Sequence, residues 1–350
     1  MPQLSFTNRI FLWKKQKGIK SMKKLDLGQF NTKKDVWLQP QVEEFLKLST
    51  YKKGLDPFAG KGDLIRVMYA LDFKPIIGLD IDPVLGWQVN NSLVDIPYYE
   101  DTIVVTNPPY YAKVTARRKN ASILNYFDGE NDKFADIYQI AIANVLQKYD
   151  EAVFIIPETY FLKSSMFFKD SLLSITVLED NPFYDTDCPI CVACFMKGSR
   201  LGYPSYDIYK NDKFLFTNTK LDEILSRYRT RKEILNVKFN VPDGNIGLRG
   251  VDGVETTDKI KFCLPNELDY DINTIKISSR AITVLDVSRN DGKILDKGEL
   301  IEKANNYLTN FRKDTHDVIL APFKNNNKNG ERRRRLDFRW AKKILNKALV

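Results

Sequence analysis

The residues Asn107-Pro108-Pro109-Tyr110 follow the apolar run Ile103-Val104-Val105-Thr106, where a predicted strand would end. A carboxamide beside two prolines is suited to activating an amine. The lone pair of an aromatic or amide nitrogen is delocalised, which makes the nitrogen a poor nucleophile. Two acceptors that take hydrogen bonds from its N–H groups draw it toward a tetrahedral form and localise the pair. The Asn107 side-chain oxygen and the Pro108 carbonyl can do this together, on a turn that the prolines stiffen. Tyr110 offers a flat face on which a planar substrate stacks. Such catalysis rests on positioning and electrostatics, not on a strong base. Taken alone, the tetrapeptide also fits a plain strand-ending turn with a surface tyrosine, and the motifs upstream decide between the two.

Gly54-Leu55-Asp56-Pro57-Phe58-Ala59-Gly60-Lys61-Gly62-Asp63 turns sharply from a strand pattern into a helical one. Gly60 and Gly62 carry no Cβ, so a ligand can approach the backbone closely. The spacing excludes a P-loop, because Gly62 and not Ser or Thr follows Gly60-Lys61. The G-x-G-x-x-G dinucleotide fingerprint also fails, with Ile65 in the place of its third glycine. Asp80 stands 20 positions after Gly60, in Gly78-Leu79-Asp80-Ile81-Asp82-Pro83 at the tip of the next predicted strand. A carboxylate there can accept both hydroxyls of a ribose. Together the two motifs favour a nucleoside cofactor lying across the strand ends.

Short apolar strands alternating with helical patterns must position these residues, which implies a mostly parallel sheet covered by helices. The predicted strands are Gly54–Asp56, Ile76–Asp80, Ile103–Thr106 and Ala152–Pro157. The predicted helices are Pro40–Leu48, Asp63–Leu71 and Asp136–Lys148. After Phe195 the texture becomes less regular, with a linker around Lys197–Pro204, a basic stretch Arg227–Lys232 and a late run Arg332–Arg335. Residues 1–21 read as a leader, 22–200 as the catalytic α/β domain and 201–350 as a second, basic domain. At 350 residues, 43% hydrophobic and 12% aromatic, the chain has the composition of folded domains. Its formal charge of +9, from 54 Lys and Arg against 45 Asp and Glu, favours a polyanionic partner. No apolar run reaches the ~18 residues a membrane span needs. Cys188, Cys191 and Cys194 form C-x-x-C-x-x-C. With no nearby fourth ligand and an apolar run over Ile190–Phe195, they read as buried strand thiols, not a metal site, and reduced thiols fit a cytoplasmic, nucleoid-associated protein.

The motifs resemble those of the amino-methylating DNA methyltransferases of bacterial type II restriction–modification systems, in the arrangement with cofactor motifs first and target-recognition domain last. DPFAGKGD is similar to the family's first cofactor motif, GLDIDP to the second and TNPPY to the catalytic motif. Gly28–Lys33 with Trp37–Pro40 resembles the motif that precedes the glycine loop. Asn181–Tyr184 with Phe195 resembles the one whose aromatic closes over a flipped base. The likeness spans roughly residues 25–198. It implies a Rossmann-like, S-adenosylmethionine-dependent methyltransferase domain with a mixed, mostly parallel sheet, followed by a mixed target-recognition domain. The cofactor would meet Thr32, Asp56, Phe58, Gly60, Gly62, Asp80, Ile81, Asn91 and Asn107, with no metal. Asn91 stands where the family often has an Asp against the cofactor's adenine. Asn107, Pro108 and Tyr110 would be catalytic. Asn107 favours adenine N6 over cytosine N4, whose enzymes commonly carry a serine first.

An N5-glutamine protein methyltransferase or an RNA guanine-N2 methyltransferase is the competing reading, since a side-chain amide poses the same lone-pair problem. Both usually carry their accessory domain ahead of the glycine loop, whereas here a basic segment of about 150 residues follows the catalytic half. The resemblance therefore implies double-stranded DNA as partner, a monomer and a cognate endonuclease acting independently. An adenine in a duplex must be flipped out, at a cost of a few kcal/mol, and Tyr110 and Phe183 would sandwich it. Arg332, Arg333, Arg334 and Arg335, after the predicted loop Asn325–Gly330, are expected to meet backbone phosphates and not bases.

Overall fold

The computed structural model describes residues 34–162, 168–183, 188–198, 205–229, 232–268, 279 and 281–349. At its centre lies a nine-stranded sheet of order β3-β2-β1-β4-β5-β7-β6-β8-β9. Its first five strands are β1 (Lys53–Asp56), β2 (Ile76–Asp80), β3 (Gln88–Val89), β4 (Thr102–Thr106) and β5 (Glu151–Pro157). They are mutually parallel. The remaining four are β6 (Leu172–Val177), β7 (Ile190–Met196), β8 (Asp207–Lys210) and β9 (Lys213–Thr217), with β7 antiparallel to both β5 and β6. The protein is thus α/β with a mixed, largely parallel sheet. The order 3-2-1-4-5 is shared with nucleotide-binding doubly wound sheets, which bind ligands outside the strands' carboxyl ends where the order reverses. Here that point lies between β1 and β4.

Every residue of β4 and of β5 is buried. Their unbroken apolar runs follow from a sheet covered on both faces. Side chains alternate between two cores. Ala152, Phe154 and Ile156 face helix α4 (Ile137–Lys148), whereas Val153 and Ile155 face α1 (Pro40–Leu48) and α2 (Asp63–Ala70). The helix α3 (Lys113–Lys119) and two 3-10 turns, Ser122–Phe127 and Gly129–Lys133, fill the connection from β4 to α4. The predicted strands and helices agree with the structure to within a residue at each end.

Beyond α5 (Asn218–Tyr228) a second, antiparallel sheet of order β10-β13-β11-β12 comprises Leu235–Phe239, Ile282–Arg289, Ile246–Arg249 and Lys261–Cys263. The long helix α6 (Lys297–Thr315), the hairpin β14 (Ala321–Asn326)–β15 (Arg332–Arg335) and α7 (Phe338–Lys347) complete it. One apolar core runs from Leu55 and Phe154 through Tyr206 and Phe216 to Phe311 and Trp340, so the halves are packed together. The central sheet continues past residue 200, because β8 pairs with β6 and β9 with β8.

Two expectations change. Asn325 and Asn326 belong to β14, so only a tight turn separates the two strands of the hairpin. The arginine run is strand β15, not a solvated patch: Arg332 and Arg334 are buried while Arg333 and Arg335 are half-buried. Cys191 and Cys194 sit on β7 facing opposite cores, as strand residues three apart must. They cannot share one ion. Residues 1–21, the motif Gly28–Lys33, Tyr184 and most of the linker lie outside the described residues. Among the described residues no helix is long and apolar enough to cross a membrane.

Candidate active site

A cavity of about 660 Å³ opens at the carboxyl ends of β1, β2 and β4. Asp56, Phe58, Gly60, Asp80, Ile81, Asn91 and Asn107 all line it, which brings together seven residues singled out from the sequence. Thr32 lies outside the described residues.

Two carboxyl groups form the polar floor. Asp80 is buried at the tip of β2; its Oδ2 accepts the Gly60 N–H at 2.9 Å and its Oδ1 the Asp82 N–H at 2.9 Å. The acid therefore fixes the glycine loop directly. Each carboxylate oxygen keeps a further lone pair, so two hydroxyls can still be accepted. Burial raises the Asp80 carboxyl above its ordinary value, and the Asp82 and Gly60 N–H groups oppose it. Asp56 ends β1 and is 1% exposed; its Oδ1 accepts the Thr106 hydroxyl at 2.8 Å and the Phe58 N–H at 3.1 Å. Burial pushes it up to about 7 in spite of those bonds. A cationic ligand on this floor would favour the ionised form of both acids.

The glycines have different duties. Gly60, at φ 50°, lines the cavity beside Asp80. Gly62 stands just outside the lining, packed against Trp87. It starts α2 at φ 78°, where an added Cβ would stand 2.9 Å from the Trp87 ring. Glycine is needed there for the left-handed turn and to admit the indole. Trp87 in turn donates its Nε1–H to the Gly60 carbonyl at 2.7 Å. The loop is thus held by Asp80 on one side and Trp87 on the other.

Asn107 follows β4 and, with Pro109 and Tyr111, forms the cavity wall facing this floor. Pro108 is buried behind it. The Tyr110 hydroxyl donates to Asn107 Oδ1 and lies 2.7 Å from the Ile155 carbonyl on β5. This bond fixes the orientation of the Asn107 carboxamide. Burial pushes the Tyr110 phenol well above its ordinary value, so it stays protonated as the donor. The Tyr110 and Phe183 rings lie 6.2 Å apart, inclined by 51°. A base stacked between two rings needs about 7 Å between them, two van der Waals contacts. The expected sandwich is therefore not preformed, and the rings must part to admit a base.

The opposite wall comes from the segment between β4 and α4: Ser122, Ile123, Asn125 and Tyr126 line the cavity. Asn91 Nδ2 donates to the Tyr126 hydroxyl at 2.8 Å, tying this wall to the end of β3. Neither Trp87 nor Tyr126 stood out in the sequence. Both act through folded contacts of 27 and 35 positions' separation, and no local pattern marks them.

Arg332–Arg335 lie far along the chain from this cavity but close to its flank. Arg334, 1% exposed, forms an ion pair with Glu158, 0% exposed, directly after β5. Arg332 Nη2 donates to the Glu179 carbonyl at 2.9 Å, and Arg333 Nε to the Asp252 carbonyl at 2.8 Å. Arg334 is sealed from any phosphate, and Arg332 is spent on the protein's own backbone. Arg332 and Arg334 are interior architecture because alternate residues of a strand face inward, whereas Arg333 and Arg335 stay half-buried.

No protein-family model and no curated protein matches the chain. Among solved structures it is similar to the methyltransferase subunit of a type I restriction–modification system from Streptococcus thermophilus. Identity is 16% over 57% of this chain and 54% of that one, with a TM-score of 0.34. A Pyrococcus horikoshii protein described as an RNA methyltransferase aligns at 16% identity over 55% of this chain and 99% of that one, TM-score 0.32. The M protein of the type I restriction enzyme EcoKI aligns at 16% over 48% and 46%, TM-score 0.32. The chain thus spans about half the length of the first of these. Likenesses this remote leave the function to be argued from the chemistry of the cavity.

Proposed function

We propose that the chain is an S-adenosylmethionine-dependent methyltransferase acting on the N6 amino group of a flipped adenine in duplex DNA, as the modification enzyme of a restriction–modification system. The observation that carries this reading is Asn107 on the wall of a cavity whose floor holds Asp56, Asp80 and the Gly60 loop. The residues present fit the cofactor. The cavity volume lies within the ~300–1,000 Å³ of ligand pockets. Asp80 has acceptors for the ribose hydroxyls, the Asn91 carbonyl suits an adenine amine, and a sulfonium would favour the ionised form of the two buried acids. When bound, the cofactor supplies an electrophilic methyl group.

The chain's own residues do the rest. Asn107 and the Pro108 carbonyl accept the amine's N–H bonds and localise its lone pair. Tyr110 donates its one hydroxyl hydrogen to Asn107 and so holds the carboxamide in place, beside the Ile155 carbonyl. Phe183, once parted from Tyr110, provides a face for the flipped base and recovers part of the unstacking cost. The charge of +9 supports a polyanionic partner, through phosphate contacts from Arg333, Arg335 and exposed lysines and arginines, not from the buried Arg332 and Arg334. The enzyme is a cytoplasmic monomer that works independently of its endonuclease.

The test is transfer of labelled methyl from S-adenosylmethionine to duplex DNA, structured RNA and a glutamine-bearing protein, with the modified base identified by mass spectrometry. N6-methyladenine in DNA is expected, and Asn107→Ala should abolish it while cofactor affinity stays intact. Label on glutamine or guanine N2 with none on DNA would overturn the reading, and N4-methylcytosine would overturn the choice of base.

A further inference from the structure

The buried arginines of β15 converge on the segment that carries Phe183. That segment, Leu178–Phe183, leaves β6 toward β7. Its Glu179 carbonyl receives Arg332 Nη2 at 2.9 Å and Asn326 Nδ2 at 3.3 Å, one from each strand of the hairpin. Its Glu179 N–H donates to Asn211 Oδ1 at 3.0 Å, and its Asn181 Oδ1 accepts the Phe183 N–H at 3.0 Å. Four residues after that carbonyl, Phe183 packs against Tyr110. Two residues before Arg334 on the strand, Arg332 thus grips the Phe183 segment. Arg334 itself grips Glu158, which follows the strand end whose Ile155 carbonyl anchors Tyr110. Both rings of the base pocket are therefore held, one step removed, by a single hairpin of the C-terminal half.

The hairpin is in turn tied into that half. The Arg334 N–H donates to Asp252 Oδ2 at 3.0 Å, and Arg312 of α6 meets Asp252 through bonds of 2.7 and 2.8 Å and Asp317 through bonds of 2.9 and 2.8 Å. A chain of charges runs from α6 through β15 to the end of β5. Glu158 Oε2, Arg334 Nη2 and Arg332 Nε are buried with no hydrogen-bond partner among the described residues. A buried pair left this incompletely satisfied is a poor source of stability compared with an apolar contact. Such pairs are better understood as fixing the register of docking.

We infer that Arg332 and Arg334 are positioning residues that couple the C-terminal half to the base pocket, setting where Phe183 stands relative to Tyr110. This rests on the reading of Phe183 and Tyr110 as the residues that receive the base. Binding of DNA by the C-terminal half would reach the pocket through this hairpin and not through diffuse packing.

Arg332→Gln and the paired variant Glu158→Gln/Arg334→Gln test it, the latter exchanging the ion pair for two amides so that no buried charge is stranded. Hydrogen exchange over residues 178–183 needs no substrate. Exchange there should quicken in both variants while α2 keeps wild-type protection, and unchanged exchange would overturn the coupling whatever the substrate proves to be. On a duplex with 2-aminopurine at the target adenine, duplex affinity should stay within about twofold of wild type. The fluorescence of the flipped base, and the single-turnover rate on the same duplex with adenine at that position, should each fall by about tenfold or more, the order for a lost hydrogen bond to a charged group. Arg332→Lys should restore part of both. Weaker duplex binding with a shallower salt dependence and normal flipping would overturn the inference and return Arg332 to phosphate contact. Absence of flipping in the wild-type protein would instead overturn the proposed function and leave the exchange result to judge the hairpin.

Discussion

Asp56 should make the protein lose stability as pH rises through neutrality, and Asp56→Asn should remove that loss. The carboxyl is 1% exposed, and its burial lifts it from 3.8 in the unfolded chain to about 7. The fold holds it protonated, so its contribution is complete below 3.8 and is lost as pH rises through about 7. At about 1.4 kcal/mol for each pH unit separating the two values, the loss over the whole window comes to about 4 kcal/mol. Between pH 5 and pH 8 roughly 2–3 kcal/mol of this should accrue. Asn keeps the shape, and its carbonyl can take the Thr106 hydroxyl as the acid does. Urea unfolding of both proteins at pH 5 and pH 8 measures the effect, because every other titration cancels in their difference. The variant's advantage should grow with pH by that amount. A difference that stays constant across the range would show that Asp56 is already ionised in the fold, and the argument from burial would be refuted. A ligand cation beside Asp56 would favour the ionised form. S-adenosylmethionine should then gain affinity over the uncharged thioether S-adenosylhomocysteine as pH rises, and Asp56→Asn should abolish that gain.

Asp80→Ala should weaken S-adenosylmethionine binding by about 1–3 kcal/mol by calorimetry, the range for hydrogen bonds to a charged group, and it also frees the Gly60 N–H; unchanged affinity in a folded variant would remove Asp80 from the site. Tyr126→Phe takes the acceptor from Asn91 Nδ2 and should weaken the same binding by about 1 kcal/mol without altering the thermal midpoint of the free protein, whereas equal affinity would make that wall incidental. Arg334→Gln alone should destabilise the protein by about 3–5 kcal/mol, because it strands Glu158 in the core, and denaturant unfolding should place the paired Glu158→Gln/Arg334→Gln variant well above it. A mild effect of the single variant, with binding of DNA lost instead, would mean that the guanidinium is not buried in solution.

The strands and helices that carry the site could be read locally, because period and turn chemistry act over a few residues. The apolar run before Asn107, the glycine turn before Asp63 and the acid after Ile76–Leu79 each announce a strand tip on their own. One parallel sheet then forces the three tips to one edge, and the cavity lined by Asp56, Asp80 and Asn107 follows from that. At Gly62 the missing Cβ says that something comes close, not what. A ligand and the Trp87 indole leave the same trace in the chain.

What the sequence determined by itself was the parallel part of the sheet and the set of residues at its carboxyl edge, since strand pattern and turn chemistry are short-range properties. Tertiary structure alone decided which way Arg332–Arg335 face. Four adjacent arginines read as surface, because a guanidinium in the interior costs more than its stem gains unless a partner waits there. The partners are Glu158, 176 positions away, and the Glu179 carbonyl, 153 positions away. No window along the chain contains both ends of such a contact, so whether a charge is solvated or buried is settled only when the two halves meet.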